Sequence, residues 1–131
     1  MDKLSVPSYN ARARGTATME DMLYLVPVGI VDLDLYAPQL NFVFGQAAIG
    51  GRETLLALPR LRESFYGMPE DLELFRQRTL KEAIHELGHT FGLGHCPKRN
   101  CVMCFSNSLR DTDTKGTSFC PGCACSLGEQ G

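Results

Sequence analysis

Every histidine of the chain falls within one stretch, residues 85–96, which reads His85-Glu86-Leu87-Gly88-His89-Thr90-Phe91-Gly92-Leu93-Gly94-His95-Cys96. Its first five residues match the pattern H-E-x-x-H. On a helix, residues four apart lie on one face about 5–6 Å from each other, so His85 and His89 can bind one metal ion together. The stretch therefore predicts a metal site on a helix.

His95 offers a third ligand, but a continuing helix would carry it about 9 Å beyond His89 and onto another face. Gly92 lies between the two, and glycine adopts the left-handed conformation that ends helices. We therefore expect the chain to turn back here. Three neutral imidazoles leave the fourth position of a zinc ion to water, as in catalytic sites. Glu86 is placed to take the proton of that water during its attack on a carbonyl.

The apolar pattern around this motif predicts an amphipathic helix from about Pro69 to about Phe91. Pro69 and the carboxylates that follow it suit a first turn, and the later glycines weaken the helix and end it. Its apolar residues recur at three- and four-residue steps: Leu72, Phe75, Thr79, Leu80, Ala83, Ile84 and Leu87.

Three β-rich segments precede the helix and predict a small, largely meander-like sheet. The predicted strands cover residues 28–35, 41–48 and 54–61, with turns at 36–39 and 49–51. The expected organisation is a single α+β domain over residues 1–131. It comprises an irregular arm (1–22), the sheet (23–68), the active-site helix (69–92) and a zinc-binding tail (93–131).

All six cysteines lie in the tail, where they form a C-x4-C and a C-x2-C separated by eighteen residues. Short cysteine pairs at this separation are typical of a closed four-thiolate zinc site, which could fold a tail that is poor in periodic apolar residues. Two further cysteines, Cys104 and Cys125, are close enough in sequence to replace a member of the set. The four predicted ligands are Cys96, Cys101, Cys120 and Cys123.

The sequence also allows other interpretations of the cysteines and of the H-E-x-x-H motif. Cys120-Pro121-Gly122-Cys123 is also a redox-pair pattern, although no βαβ context precedes it. A disulfide framework is expected in secreted chains, whereas the first twenty residues here carry no apolar segment typical of a secretory signal. An isolated H-E-x-x-H also arises by chance, but the third histidine and the interposed glycine weigh against that interpretation.

Length and charge exclude several other classes. A chain of 131 residues and 14.5 kDa with a net charge of −2 is of ordinary globular composition, and no basic stripe predicts a nucleic-acid partner. The longest apolar run, Met22 to Val31, has ten residues, half of what a bilayer span needs. We expect a cytoplasmic protein with no membrane partner, monomeric by default.

Several of these motifs resemble the archaemetzincin family. The stretch His85–Cys96, followed by Cys101-Val102-Met103 and by the C-x2-C pair, resembles the pattern of these metzincin-clan zinc peptidases, which carry a second, cysteine-bound zinc. The segments Asn41–Gly45 and Phe105–Ser108 also resemble the family, and the likeness covers about Tyr9 to Cys125.

The resemblance implies a metzincin-like twisted mixed sheet on an active-site helix, a zinc-stapled irregular tail and two zinc ions. It further implies an edge strand over residues 41–48 that pairs with substrate backbone. Family members usually carry a strand–helix–strand portion before the point where this chain starts, so the N-terminal part is shorter than usual. The implied roles are catalytic zinc ligands (His85, His89, His95), general base (Glu86), Met-turn floor (Met103) and structural zinc ligands (Cys96, Cys101, Cys120, Cys123).

The leading functional hypothesis is a zinc-dependent peptidase that hydrolyses peptide bonds of a peptide or protein substrate. The alternative is a zinc-stabilised peptide-binding or interaction module whose peptidase site is vestigial or closed. An intact Glu86 favours the enzyme, while the short N-terminal part and the lack of an identified oxyanion partner favour the module.

Overall fold

The structure, a computed structural model, describes residues 3–5, 28–47, 49–51 and 53–129. Within these residues the strands come first and the α-helices follow, with two short 3-10 helices between them at Pro59–Leu61 and Glu63–Tyr66. The elements are β1 (Lys3–Ser5), β2 (Val28–Val31), β3 (Asp34–Ala37), β4 (Leu40–Val43), β5 (Gly45–Ala47), β6 (Thr54–Ala57), α1 (Leu72–Thr90), α2 (Leu109–Thr114) and α3 (Pro121–Glu129).

The described strands form two three-stranded sheets, with the orders β1-β3-β4 and β2-β6-β5. Each sheet is mixed, because β1–β3 and β2–β6 pair parallel while β3–β4 and β5–β6 pair antiparallel. The expected mixed α+β class is confirmed, but the meander is wrong. Parallel pairs need a crossover connection, which alternation within a single segment cannot reveal.

Each predicted strand is shorter in the structure. The segment 28–35 bends at Asp32 and Leu33 and becomes β2 and β3, while 41–48 breaks at Phe44, with Ala48 outside the described residues. β6 ends at Ala57 because Pro59, which has no N–H for a sheet ladder, begins a 3-10 helix. The predicted turn at 36–39 is likewise tighter, since β3 extends to Ala37.

The predicted active-site helix is present as α1, with a later start. Asp71 is its N-cap, and the Asp71 carboxylate accepts a hydrogen bond from the Leu74 N–H at 3.0 Å, so Pro69 lies before the helix. At the other end, Gly92 has φ 97°, the left-handed conformation expected at this position. α1 packs against β5 and β6.

The side of α1 that is buried is not the side formed by the apolar residues that predict the helix. Two of those apolar residues, Leu72 and Leu80, are 59% and 52% exposed. The buried side carries polar residues because the tail supplies partners for them: Arg78 pairs with Asp113 at 2.8 Å and Lys81 donates to the Thr112 carbonyl at 3.1 Å. The buried residues of α1 are Arg78, Lys81, Glu82, His85, Glu86, Gly88, His89 and Thr90.

The tail contains two helices, α2 and α3, where the sequence predicts irregular structure. It also contributes a core of its own, in which Leu93, Cys101, Val102 and Met103 are buried against Ile84 of α1. A second cluster lies in the sheet region, where Leu35 and Ala57 are buried with Val31, Val43 and Leu55 around them. Tail and helix are therefore packed as one unit.

Two further expectations concern the N-terminal arm and membrane spanning. Lys3–Ser5 form strand β1 within the segment predicted as an irregular arm, and residues 6–22 of that arm lie outside the described residues. In the part of the chain that the structure describes, no helix combines the length and apolar character needed to cross a membrane. The single-domain organisation stays a prediction.

Candidate metal centres

The structure brings the three histidines together at the C-terminal end of α1. His85 and His89 lie one turn apart, and the reversal at Gly92 returns the chain so that His95 joins them. One ring nitrogen from each residue lies within 4.8 Å of the others, and the Nε2 atoms of His85 and His89 are 3.2 Å apart. Donors this close on three imidazoles form a group that could hold one metal ion.

Two backbone carbonyls fix the tautomers of the helical histidines. The Nδ1 atom of His85 lies 2.8 Å from the Val102 carbonyl oxygen, and that of His89 lies 2.7 Å from the Leu93 carbonyl oxygen. A carbonyl only accepts, so each Nδ1 carries the proton and donates it. Both neutral Nε2 atoms therefore present lone pairs to the same point, the arrangement that a metal ion satisfies.

Burial keeps these imidazoles neutral. Desolvation lowers the pKa of His85 to about 3, and the Lys115 ammonium adds to the effect. Desolvation is also the main cause that lowers the pKa of His89 and of His95. Since metal binding needs unprotonated nitrogen, the protein holds the group in its coordinating state near neutral pH.

The Glu86 carboxyl is buried beside these histidines, with only 5% of the residue exposed. Its Oε2 atom has no hydrogen-bond partner among the described residues. Burial raises the pKa of Glu86 well above the usual range of a carboxyl, the Glu82 carboxylate raises it further, and the Lys115 ammonium opposes both. β5 passes close by: a Cβ on Gly45 would lie 2.9 Å from the Cγ of Glu86.

A groove of about 240 Å³ runs between the sheet edge and α1 and contains the histidine cluster. One wall is apolar and comes from β4 and β5, with Leu40 and Phe42 among its residues. Glu86 and the histidines line the side formed by α1, and Phe105 and Ser106 line the tail side. The Phe105 ring packs on His95, with 5.0 Å between the ring centroids.

A buried ion pair lies next to this site. The Lys115 Nζ atom, on a residue that is 1% exposed, is 3.0 Å from Glu82 Oε1, and the Thr112 hydroxyl donates to the same oxygen at 3.0 Å. Lys115 also donates to the Cys104 carbonyl at 3.0 Å. Sequence reasoning missed this group, because no local pattern separates Lys115 from a surface lysine.

Met103 packs against α1 at Gly88. It is fully buried, and its sulfur would meet a Cβ placed on Gly88. The Cys96 N–H donates to the Met103 carbonyl at 2.9 Å, which ties the methionine to the residue that follows His95. Gly88 therefore leaves the space that this methionine fills.

The structure also brings together the four thiols predicted as ligands: Cys96, Cys101, Cys120 and Cys123. Their sulfurs lie within 4.8 Å of one another, with 3.8 Å between Cys96 and Cys120 and between Cys101 and Cys123. Cys104 and Cys125 are not members of this group. None of the six cysteines, all of which lie in the described residues, forms a disulfide, so the disulfide alternative is wrong for this structure.

Backbone donors favour thiolate at one member of this group, since the backbone N–H of Cys123 is the main cause that lowers the pKa of the Cys120 thiol to about 6. Burial acts the other way at Cys123 and raises the pKa of its thiol. The Cys101 sulfur accepts from the N–H groups of Met103 and Cys120 at 3.4 and 3.3 Å. Four sulfurs at this spacing, with N–H donors aimed at them, fit a tetrahedral zinc site.

One short segment joins the two groups. Cys101 belongs to the thiol group, the carbonyl of the next residue, Val102, accepts from His85, and Met103 packs under α1. On the other side, His95 and Cys96 are adjacent and belong to different groups. The position of the histidines therefore depends on the segment that the thiols hold.

Comparison with known proteins identifies relatives of this chain by sequence and by fold. The sequence profile of Peptidase family M54 matches residues 15–129. The archaemetzincin of Methanocaldococcus jannaschii is 46% identical over 114 residues, which are 87% of this chain and 62% of that protein.

Solved structures give the same result. The crystal structure of archaemetzincin from Methanopyrus kandleri matches with a TM-score of 0.72 and 51% identity, over 79% of this chain and 54% of that one. The zinc-dependent peptidase from Methanocorpusculum labreanum matches with a TM-score of 0.74 and 37% identity, over 76% of this chain and 52% of that one. The chain spans less than two thirds of the length of each of these relatives.

The mixed α+β fold is that of the solved archaemetzincin structures, and the resemblance inferred from the sequence is confirmed. The profile match extends over most of the chain and includes both candidate metal centres. The chain belongs to Peptidase family M54.

Proposed function

We propose that this chain is a zinc-dependent peptidase. One observation carries the proposal: three imidazole donors and the Glu86 carboxyl face one groove, with both Nε2 lone pairs of the helical histidines aimed at the same point. The family assignment and the zinc-dependent peptidase among its structural relatives support it.

In this proposal His85, His89 and His95 hold the catalytic zinc. Neutral imidazoles with Nδ1 donating to backbone are the usual ligands of such a site. When bound there, zinc supplies a Lewis acid that polarises a peptide carbonyl and lowers the pKa of water. The described chain then contributes the ligands, the groove and the group that moves the proton.

Glu86 is the proposed general base. Its carboxyl follows the first ligand in sequence and lines the groove, and no described residue forms a hydrogen bond with its Oε2. Burial favours its neutral form, and the positive charge of a zinc ion bound beside it would favour the carboxylate that a base requires. As the carboxylate it takes a proton from the attacking water and, in its protonated form, gives that proton to the departing amine.

The proposed substrate is a peptide or protein segment that lies along the edge of the sheet. Among the described strands β5 is the last in the order β2-β6-β5, and it forms part of the groove wall, so its outer edge can pair with an extended peptide. Pairing through backbone favours broad sequence tolerance. A monomeric cytoplasmic form without nucleic-acid partners belongs to the same proposal and rests on composition alone.

The test is hydrolysis of a diverse peptide library by zinc-loaded wild type and by Glu86→Gln. We expect the variant to lose activity about 100-fold or more, since general-base catalysis contributes about 10²–10⁴-fold. Glu73→Gln, an exposed change in the first turn of α1, is the matched control. Equal activity of wild type and Glu86→Gln would reject the peptidase and favour the peptide-binding module.

We further propose that Cys96, Cys101, Cys120 and Cys123 hold a second, structural zinc, giving two ions per chain. The mutual approach of the four sulfurs supports this set over one that includes Cys104 or Cys125. Elemental analysis of protein purified without chelator should find close to two zinc ions. Cys96→Ser should lower that number, whereas Cys125→Ser, at an exposed cysteine outside the group, should not. A value near one in the wild type would remove one of the two sites.

A further inference from the structure

Unpartnered polar atoms concentrate in the groove. Among the described residues, four buried side-chain oxygen atoms have no hydrogen-bond partner, and three of these residues line the groove: Gln46, Glu86 and Ser106. The fourth is Thr54 of β6. Buried polar groups are almost always paired in folded proteins, and a cluster of exceptions in one groove indicates that a ligand completes the pairing.

Ser106 differs from the other two, because Glu86 is the proposed general base and the unpartnered Oε1 of Gln46 can only accept, whereas the serine has a proton to donate. It is 8% exposed, and its hydroxyl can both donate and accept. An unsatisfied buried hydroxyl costs free energy that a well-packed site would avoid, so its retention calls for an acceptor that arrives with the ligand.

The two residues that precede Ser106 are held in place. Two residues before it, the Cys104 carbonyl accepts from the buried Lys115 ammonium, which is itself paired with Glu82. The preceding side chain, Phe105, packs its ring on His95. The serine is therefore fixed beside the metal cluster, and its hydroxyl is preorganised to meet a ligand.

We propose that Ser106 contacts the substrate and donates a hydrogen bond to a main-chain carbonyl oxygen of the bound peptide. The inference rests on the proposed peptidase function, which supplies the class of ligand. A main-chain carbonyl is the acceptor that every peptide presents, and the remaining wall of the groove is largely apolar, with Leu40 and Phe42 on it. Contact with main chain rather than with a side chain fits the broad tolerance expected of pairing along a strand edge.

The experiment compares two probes on the zinc-loaded full chain by isothermal titration calorimetry. One is a leucine dipeptide capped with a hydroxamate, and the other is acetohydroxamate, which has the same metal-binding group and almost no peptide. We expect Ser106→Ala to weaken the dipeptide probe about three- to tenfold, the usual value of one neutral hydrogen bond, and to leave acetohydroxamate unchanged. Ser64→Ala, the same change at an exposed site outside the groove lining, should affect neither probe.

Three results would overturn the proposal: unchanged dipeptide affinity in Ser106→Ala, an equal loss for both probes, or a wild type that does not prefer the dipeptide. An equal loss would mean that the serine acts through the metal site or the fold. Hydrolysis of the peptide library is measured on the same samples. If the wild type cleaves nothing and still shows the Ser106-dependent preference, the peptidase fails and the contact stands.

Discussion

At the scale of single residues, Gly45 sets the position of the proposed general base. A Cβ at this site would lie 2.7 Å from the Leu55 carbonyl oxygen and 2.9 Å from the Cγ of Glu86, and neither approach is tolerated without movement. The Leu55 carbonyl is backbone of the partner strand β6, so an alanine here would displace β5 relative to β6 as well as move the carboxyl of Glu86.

We therefore expect Gly45→Ala to lower kcat about 10- to 100-fold while the protein keeps its zinc, because small misplacement of a reacting group carries a cost of this size. Peptide hydrolysis and zinc content, measured together, check this. The control is Gly116→Ala, where the nearest heavy atom to a new Cβ is at 3.5 Å. Unchanged activity in Gly45→Ala would show that Glu86 does not need its present position.

Also at this scale, Lys115 is a buried charge whose partner is Glu82. Both side chains are 3% exposed or less, and the atoms are 3.0 Å apart. Removing one member of such a pair leaves the other charge buried and uncompensated, so Lys115→Met should lower the free energy of unfolding by about 3–5 kcal/mol. Urea denaturation of the zinc-loaded protein measures this change in the free energy of unfolding.

The contrast is Arg62→Met, which breaks a pair with Asp32 whose carboxylate is 63% exposed. Exposed pairs contribute about 0–1 kcal/mol, so this variant should stay close to wild type. The double variant Lys115→Met/Glu82→Leu should regain much of the loss. If Lys115→Met alone has the same free energy of unfolding as wild type, the buried Glu82 carboxylate does not need the Lys115 ammonium as its partner.

At the scale of elements, the contact between α1 and the tail depends on Gly88. Alanine is the better helix former by about 1 kcal/mol, so propensity alone predicts that Gly88→Ala stabilises the protein. The structure predicts the opposite, since the new Cβ would collide with the Met103 sulfur and come within 3.3 Å of Phe119. Chemical denaturation shows whether Gly88→Ala raises or lowers the free energy of unfolding.

The steric origin of this effect is testable in a second background. In Met103→Ala the sulfur is gone, so the cost of Gly88→Ala should shrink, and the two changes should be markedly non-additive. If the losses of unfolding free energy from the two changes simply add, the destabilisation by Gly88→Ala arises in the helix backbone and not in its contact with Met103.

The same elements show which features were predictable from sequence. α1 and its end near Gly92 follow from local rules, namely periodicity and a left-handed glycine, whereas its start was predicted at Pro69 and lies after the N-cap Asp71. The grouping of three histidines follows from helix geometry and one reversal. The polar buried face did not follow, because the partner of Glu82 lies some thirty residues away at Lys115 and no local pattern encodes that pairing.

The sheet was less predictable for a related reason. Alternation located the β-rich segments, but parallel pairing of β2 with β6 is decided by tertiary contacts between distant segments. Ser106 was also hidden at this stage. A serine after an aromatic residue is unremarkable in sequence, and only burial without a partner distinguishes it.

At the scale of the whole molecule, the two candidate metal centres share one framework and differ in chemistry. The thiol group brings four sulfurs together and includes Cys101, and the segment from Cys101 to Met103 also supplies the Val102 carbonyl to His85. The histidine cluster opens onto a groove and leaves room for a further ligand. Loss of metal from the cysteines should therefore disturb the histidines, while the reverse disturbance should be small.

We accordingly expect mild chelation or moderate acid to remove zinc from the histidine site first. Although free cysteine has a higher pKa than histidine, a coordinated thiol is held as thiolate by the charge of the ion, and the closed site offers no free position to a chelator. The measurement follows zinc release and amide exchange of residues 96–125 through one chelator titration. Tail amides should keep their protection through the first equivalent of zinc and lose it only with the second. Protection lost with the first equivalent would mean that the Cys101–Met103 segment couples the two sites into one cooperative unit, in which neither ion leaves without the other.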